Sequence, residues 1–173
     1  MAAGLAIVVA AAGVASAAPG DTTVTFSVSG GSLSISVPAG PVGLGSGLPG
    51  TSVSGQLGGV TVTDARALLS ASWTASVISS SFTTGGGTSA ETVPASAVSY
   101  WSGTATATTG TGTFTPGQPT AGQAQTLDSS RTAYGLAGGT GNNSATWNPT
   151  LAIAIPAAAV NGVYTGTVTH SVA

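Results

Sequence analysis

Apolar side chains return at every second position along much of this chain, and threonine or serine fills most of the positions between them. Val60 and Val62 alternate with Thr61 and Thr63, and Trp73, Ala75 and Val77 alternate with Thr74, Ser76 and Ile78. Leu151, Ile153 and Ile155 repeat the pattern before Pro156. In the last segment Tyr164, Gly166, Val168, His170 and Val172 stand opposite Thr165, Thr167, Thr169 and Ser171. Successive side chains of a strand point to opposite faces, so this period predicts strands with one buried face and one wet face. No amphipathic helical period competes with it after Ala18.

Glycine and proline cut the strands apart. Thr22–Val28 and Ser32–Val37 read as strands, with Gly30-Gly31 between them as a hairpin turn. Residues 38–59 read as a long loop with room for a short strand near 52–57. At Asp64-Ala65-Arg66 the strand continues or ends in a short connector; Asp64 is expected to cap backbone N–H groups there, and Arg66 to pair with it or with Asp128. Thr83–Ala90 and Gly138–Ser144 read as turns, and residues 109–125 as an exposed loop. Ala97–Trp101, the stretch beyond Gly103, and Leu127–Leu136 complete the strands. About nine or ten strands with no helix between them predict an all-β fold, an antiparallel β-sandwich with Greek-key or Ig-like connections. A closed barrel is the second choice. A single domain is expected over residues 18–173.

The surface such a chain presents is unusual. Among 173 residues there are two Lys or Arg and four Asp or Glu, no cysteine and 27 glycines, so hydroxyls and amides must keep it wet. Arg66 and Arg131 cannot form the cationic patch that displaces counterions from phosphates, which argues against nucleic acid as a partner. One histidine and four scattered acids make a metal site improbable, and nothing points to a cofactor. Residues 45–50 match G-x-G-x-x-G without a helix or βαβ unit to use it. Asn142-Asn143-Ser144 matches the glycosylation pattern. Strand edges without lysine favour self-association.

Met1–Ala18 is an apolar, alanine-rich run ending in Ala15-Ser16-Ala17, the small-residue pattern of a cleaved secretory signal peptide over residues 1–17. A membrane anchor is the competing reading, since a span needs roughly 20 apolar residues. Cleavage leaves a secreted protein with no membrane segment, at the cell wall or free outside the cell.

Two segments resemble the WxL family of Gram-positive surface proteins. Tyr164–Val172, YTGTVTHSV, is similar to the family's distal motif Y-x-x-x-L-T-W-x-L, with Val168 and Val172 in place of the leucines and His170 in place of the tryptophan. Trp73-Thr74-Ala75 stands where the family has Trp-x-Leu, followed by a similar strand and Phe82. Trp147 and the LAIAIP strand also fit the pattern. The resemblance implies non-covalent attachment to the cell wall, with peptidoglycan as ligand.

The candidate ligand contacts are Trp73, Tyr100, Trp101, Trp147 and His170. Trp73 reads as a core tryptophan or a glycan-stacking platform. Tyr100 and Trp101 are neighbours on a strand, so one of them faces out. Trp147 plugs an edge or lies on the surface. His170 is a satisfied buried or rim imidazole, with a catalytic base as the minor reading, since no G-x-S-x-G elbow accompanies it. The expected function is therefore a non-enzymatic surface protein that binds wall glycan or partner surface proteins. The alternative is a self-assembling subunit of a surface fibre or matrix.

Overall fold

The structure, a computed structural model, describes residue 20 and residues 22–173, so the expected signal peptide lies outside the described residues. Twelve strands follow one another: β1 (Leu33–Ser36), β2 (Ser52–Gln56), β3 (Val60–Ser79), β4 (Phe82–Thr83), β5 (Thr92–Val93), β6 (Val98–Trp101), β7 (Ala105–Thr109), β8 (Thr113–Pro116), β9 (Gln125–Thr126), β10 (Arg131–Trp147), β11 (Thr150–Ala154) and β12 (Val168–Val172). The chain is all-β, and its antiparallel sheets pack against each other as a sandwich. The larger sheet runs β1-β3-β10-β7, with β12 also on β3 and β8 also on β10. The second sheet runs β2-β11-β6-β9, and β4 pairs β5 separately. No helix among the described residues is long and apolar enough to cross a membrane.

The long strands β3 and β10 carry the sandwich, and both change face midway. In β3 the buried positions are Val60, Val62 and Asp64, then Ala71, Trp73, Ala75 and Val77. An odd spacing separates Asp64 from Ala71, so an unbroken strand would turn one half outward. Ala67, at φ 55°, absorbs the mismatch, and the register against β10 shifts at the same level. In β10 the switch falls between Leu136 and Asn143, where Gly138 and Gly141 take positive φ. Bulges of this kind re-aim side chains without ending the ladder. The expected connector at residues 64–66 and the expected turn at Gly138–Ser144 are thus both parts of strands. In β10 the glycines mark the bulge, whereas in β3 it falls at Ala67, with no glycine to mark it.

Two other expectations are corrected. Residues 109–125 contain β8, whose Phe114 packs on the core opposite Leu136; its alternation is too short to stand out among Gly, Thr and Pro. Thr22–Val28 is not a strand. Gly30 and Gly31 do not turn back as a hairpin but lie extended against Arg66 and Ala65, the Gly31 N–H bonding to the Ala65 carbonyl at 2.6 Å. β1 therefore pairs β3, and the segment before it has no partner among the described residues, with Val24, Phe26 and Val28 being 82%, 89% and 78% exposed.

Candidate functional site

Three of the five candidate residues meet in one cluster. Tyr100 comes from β6, Trp147 from the end of β10 and His170 from β12. Tyr100 and Trp147 are fully buried and His170 is half-buried. Trp147 Nε1–H donates to Tyr100 Oη at 3.1 Å, and Tyr100 Oη lies 3.2 Å from His170 Nε2. An indole nitrogen can only donate, so the phenol accepts from it; the bond between the phenol and His170 Nε2 runs in the direction the imidazole tautomer sets. His170 Nδ1 is buried without a partner among the described residues. Tyr134, also on β10, stacks on Trp147 with ring centres 5.0 Å apart, and its hydroxyl accepts the Ala105 N–H.

Burial sets the charge state of this cluster. Desolvation pushes the His170 imidazole down to about 4 and pushes the Tyr100 phenol up, so both are neutral at physiological pH. The hydrogen bond of His170 goes to Tyr100, not to a serine or a carboxylate. Tyr100→Phe is expected to lower stability by about 1–2 kcal/mol, because Trp147 Nε1–H loses its only acceptor in a closed core. Urea unfolding followed by tryptophan fluorescence measures it.

Trp73 lies in a second buried cluster. It is 3% exposed, and its Nε1–H donates to Asn143 Oδ1 at 2.8 Å. Asn143 Nδ2 donates to Asp64 Oδ2 at 3.4 Å, and Arg66 reaches the same carboxylate through Nε at 2.8 Å and Nη2 at 2.9 Å. The Arg66 backbone N–H adds a fourth bond to it. This network ties β3 to β10 beside the face switch. Hydrogen bonds from Arg66 hold the Asp64 carboxyl down at about 2. Trp101 is half-buried on β6 opposite Thr150. The candidate residues therefore separate into core groups, Trp73, Tyr100 and Trp147, and the two that reach toward solvent, Trp101 and His170.

A groove of about 1030 Å³ opens beside His170. Ile153 on β11, Phe82, Val93, Tyr164 and His170 line it, and the loop 37–49 between β1 and β2 forms one wall. β2 borders it from the second sheet and β12 from the first. No Asp, Glu, Lys or Arg lines it. Sequence reading missed this groove, since its loop wall shows no period. It also missed Asn143, whose neighbours Gly141 and Asn142 read as a turn. Among the described residues no cluster of His, Asp and Glu is placed to hold a metal ion.

The two segments that carry the WxL resemblance are neighbours in space. β12 runs antiparallel to β3 with Val172 opposite Ala75 and His170 opposite Val77, and the Thr74 N–H bonds to the Ala173 carbonyl. Comparison with protein-family models, curated proteins and solved structures finds no match to this chain.

Proposed function

We propose that this chain is an exported, non-enzymatic cell-surface domain that works by docking neighbouring proteins, copies of itself among them, in the groove beside His170. The observation that carries this reading is where the exposed apolar side chains lie. Of the eleven large ones among the described residues, Val37, Val42, Leu48, Val160 and Val163 line this one groove. Scattered apolar residues are ordinary on a surface, whereas a contiguous apolar patch with no charge in it marks an interaction site. A partner for it is apolar and uncharged, in keeping with a chain that carries two basic and four acidic side chains in all.

Attachment to cell-wall glycan is the second reading. It is supported by the half-exposed Trp101 and by the resemblance of the paired strands β3 and β12 to the two WxL motifs. Sedimentation velocity of the secreted form over a range of concentrations, beside co-sedimentation with insoluble peptidoglycan, separates the two. Docking between proteins predicts oligomers that grow with concentration. A monomer that pellets with the wall, and loses this in Trp101→Ala, favours the glycan reading, and a monomer that does neither sinks that reading and docking between copies.

A further inference from the structure

The groove and the unpaired N-terminal segment fit each other. Val24, Phe26 and Val28 account for three more of the eleven exposed large apolar side chains, so eight of them lie in these two places. They alternate with Thr23, Thr25 and Ser27, which is the pattern of a strand buried on one face, yet among the described residues the segment has no strand partner. Its own exit is fixed, because Gly30 seats directly against the Arg66 carbonyl and Gly31 is bonded to Ala65. A side chain at Gly30 would collide with that carbonyl. The alternating segment thus projects into solvent from the end of β1.

A matching vacancy in backbone pairing borders the groove. β2 pairs β11 on one side only, and its Val53 faces the groove beside Ile153 and Ile155. Among the described residues no backbone bond joins the outer side of residues 52–56 to another strand. A strand laid along this edge gains ladder hydrogen bonds and sets every second side chain into the groove, as in strand-addition complexes. The segment 22–28 and the groove lining are both free of charged residues, so no ion is desolvated on contact.

We infer that residues 22–28 of one copy add to the free edge of β2 in a second copy, seating Val24, Phe26 and Val28 in its groove. The inference rests on the docking reading above and names the partner. The contact is head-to-tail: each copy offers one strand and one groove, at different places on its surface. Such an interface propagates into open chains unless its rotation closes a ring. The product is a fibre or ring, which is how a small uncharged domain builds an extracellular matrix.

Two variants at exposed positions test this with little risk to folding. Phe26→Asp spoils the strand, and Val163→Asp, at a rim side chain 85% exposed, spoils the groove. Each alone is expected to weaken association roughly 10- to 100-fold in sedimentation velocity, the effect of losing one buried apolar side chain. An equimolar mixture leaves one intact strand on the Val163→Asp chain and one intact groove on the Phe26→Asp chain. It should form dimers that grow no further. Parent-like oligomers of Phe26→Asp overturn the strand assignment and leave docking standing. A parent that stays monomeric at every concentration, with Phe26 open to solvent, overturns the inference and docking between copies together. A monomeric parent with Phe26 shielded from a solvent quencher assigns the groove to the chain's own segment instead.

Discussion

Asp64→Ala is expected to lower the unfolding free energy by about 3 kcal/mol, at the lower end for breaking a buried ion pair from one side. Asp64 is 0% exposed, and four hydrogen bonds end on its carboxylate, two from the Arg66 side chain, one from the Arg66 N–H and one from Asn143. Alanine leaves those donors facing an apolar gap between β3 and β10. The guanidinium, 30% exposed, still reaches water and the Ser72 carbonyl, which keeps the loss from growing further. Asn143→Leu should weaken the same junction by a smaller amount, because Trp73 Nε1–H then loses its acceptor. If the two effects come from one network, the double variant loses less than the sum of the singles. Additive losses in urea unfolding would mean the two residues act separately. The carboxyl, held at about 2 against an ordinary 3.8, also gives a pH signature. Its folded value is depressed, so its contribution is complete above 3.8 and fades as pH falls through 2, by about 1–2 kcal/mol. Asp64→Asn should lack that acid limb.

Why the sandwich was legible and the groove was not follows from what a period records. Val60 to Val77, Leu151 to Ile153 and Val168 to Val172 face a core on one side and water on the other, and alternation reports that burial directly. The glycines of residues 138–141 carry no such record. The same residue type serves a turn or a bulge, and only the partner strand decides. Thr22–Val28 shows the converse. Its alternation is as good as that of β11, but pairing is a property of two segments, and β1 had already taken the edge of β3. Among the candidate residues, local alternation put Tyr100 and Trp101 on opposite faces without saying which is inward, and Tyr100 is buried where Trp101 is half-buried. It could not show that Tyr100, Trp147 and His170 meet, because they come from three strands far apart in the chain.

Stability should fall by about 3 kcal/mol as pH drops from 6.5 to 4, before Asp64 begins to titrate, and His170 should be responsible. Burial holds its imidazole at about 4 against an ordinary 6.5. Between these values the unfolded chain binds a proton that the folded chain refuses, so the folded state loses ground at each step down and regains it above 6.5. The hydrogen bonds point the same way. A protonated ring donates from both nitrogens, but Nε2 meets a phenol that already accepts from Trp147, and Nδ1 is buried with no acceptor among the described residues. No acid or base among the groove-lining residues is placed to compensate the new charge. Urea unfolding at a series of pH values measures the slope, and the imidazole carbon shifts should stay those of a neutral ring down to about pH 4. His170→Phe should unfold with nearly constant stability between pH 7 and 4 and still lose stability below 3.8 through Asp64. A variant that keeps the parent's slope in the upper range would place the acid sensitivity elsewhere in the chain. His170 lines the groove, so charging it also puts an ion into the apolar floor on which Val24, Phe26 and Val28 would rest. Assembly through that groove should therefore hold down to about pH 4 and weaken only there, where the folded chain's own imidazole takes up its proton, and in His170→Phe it should not.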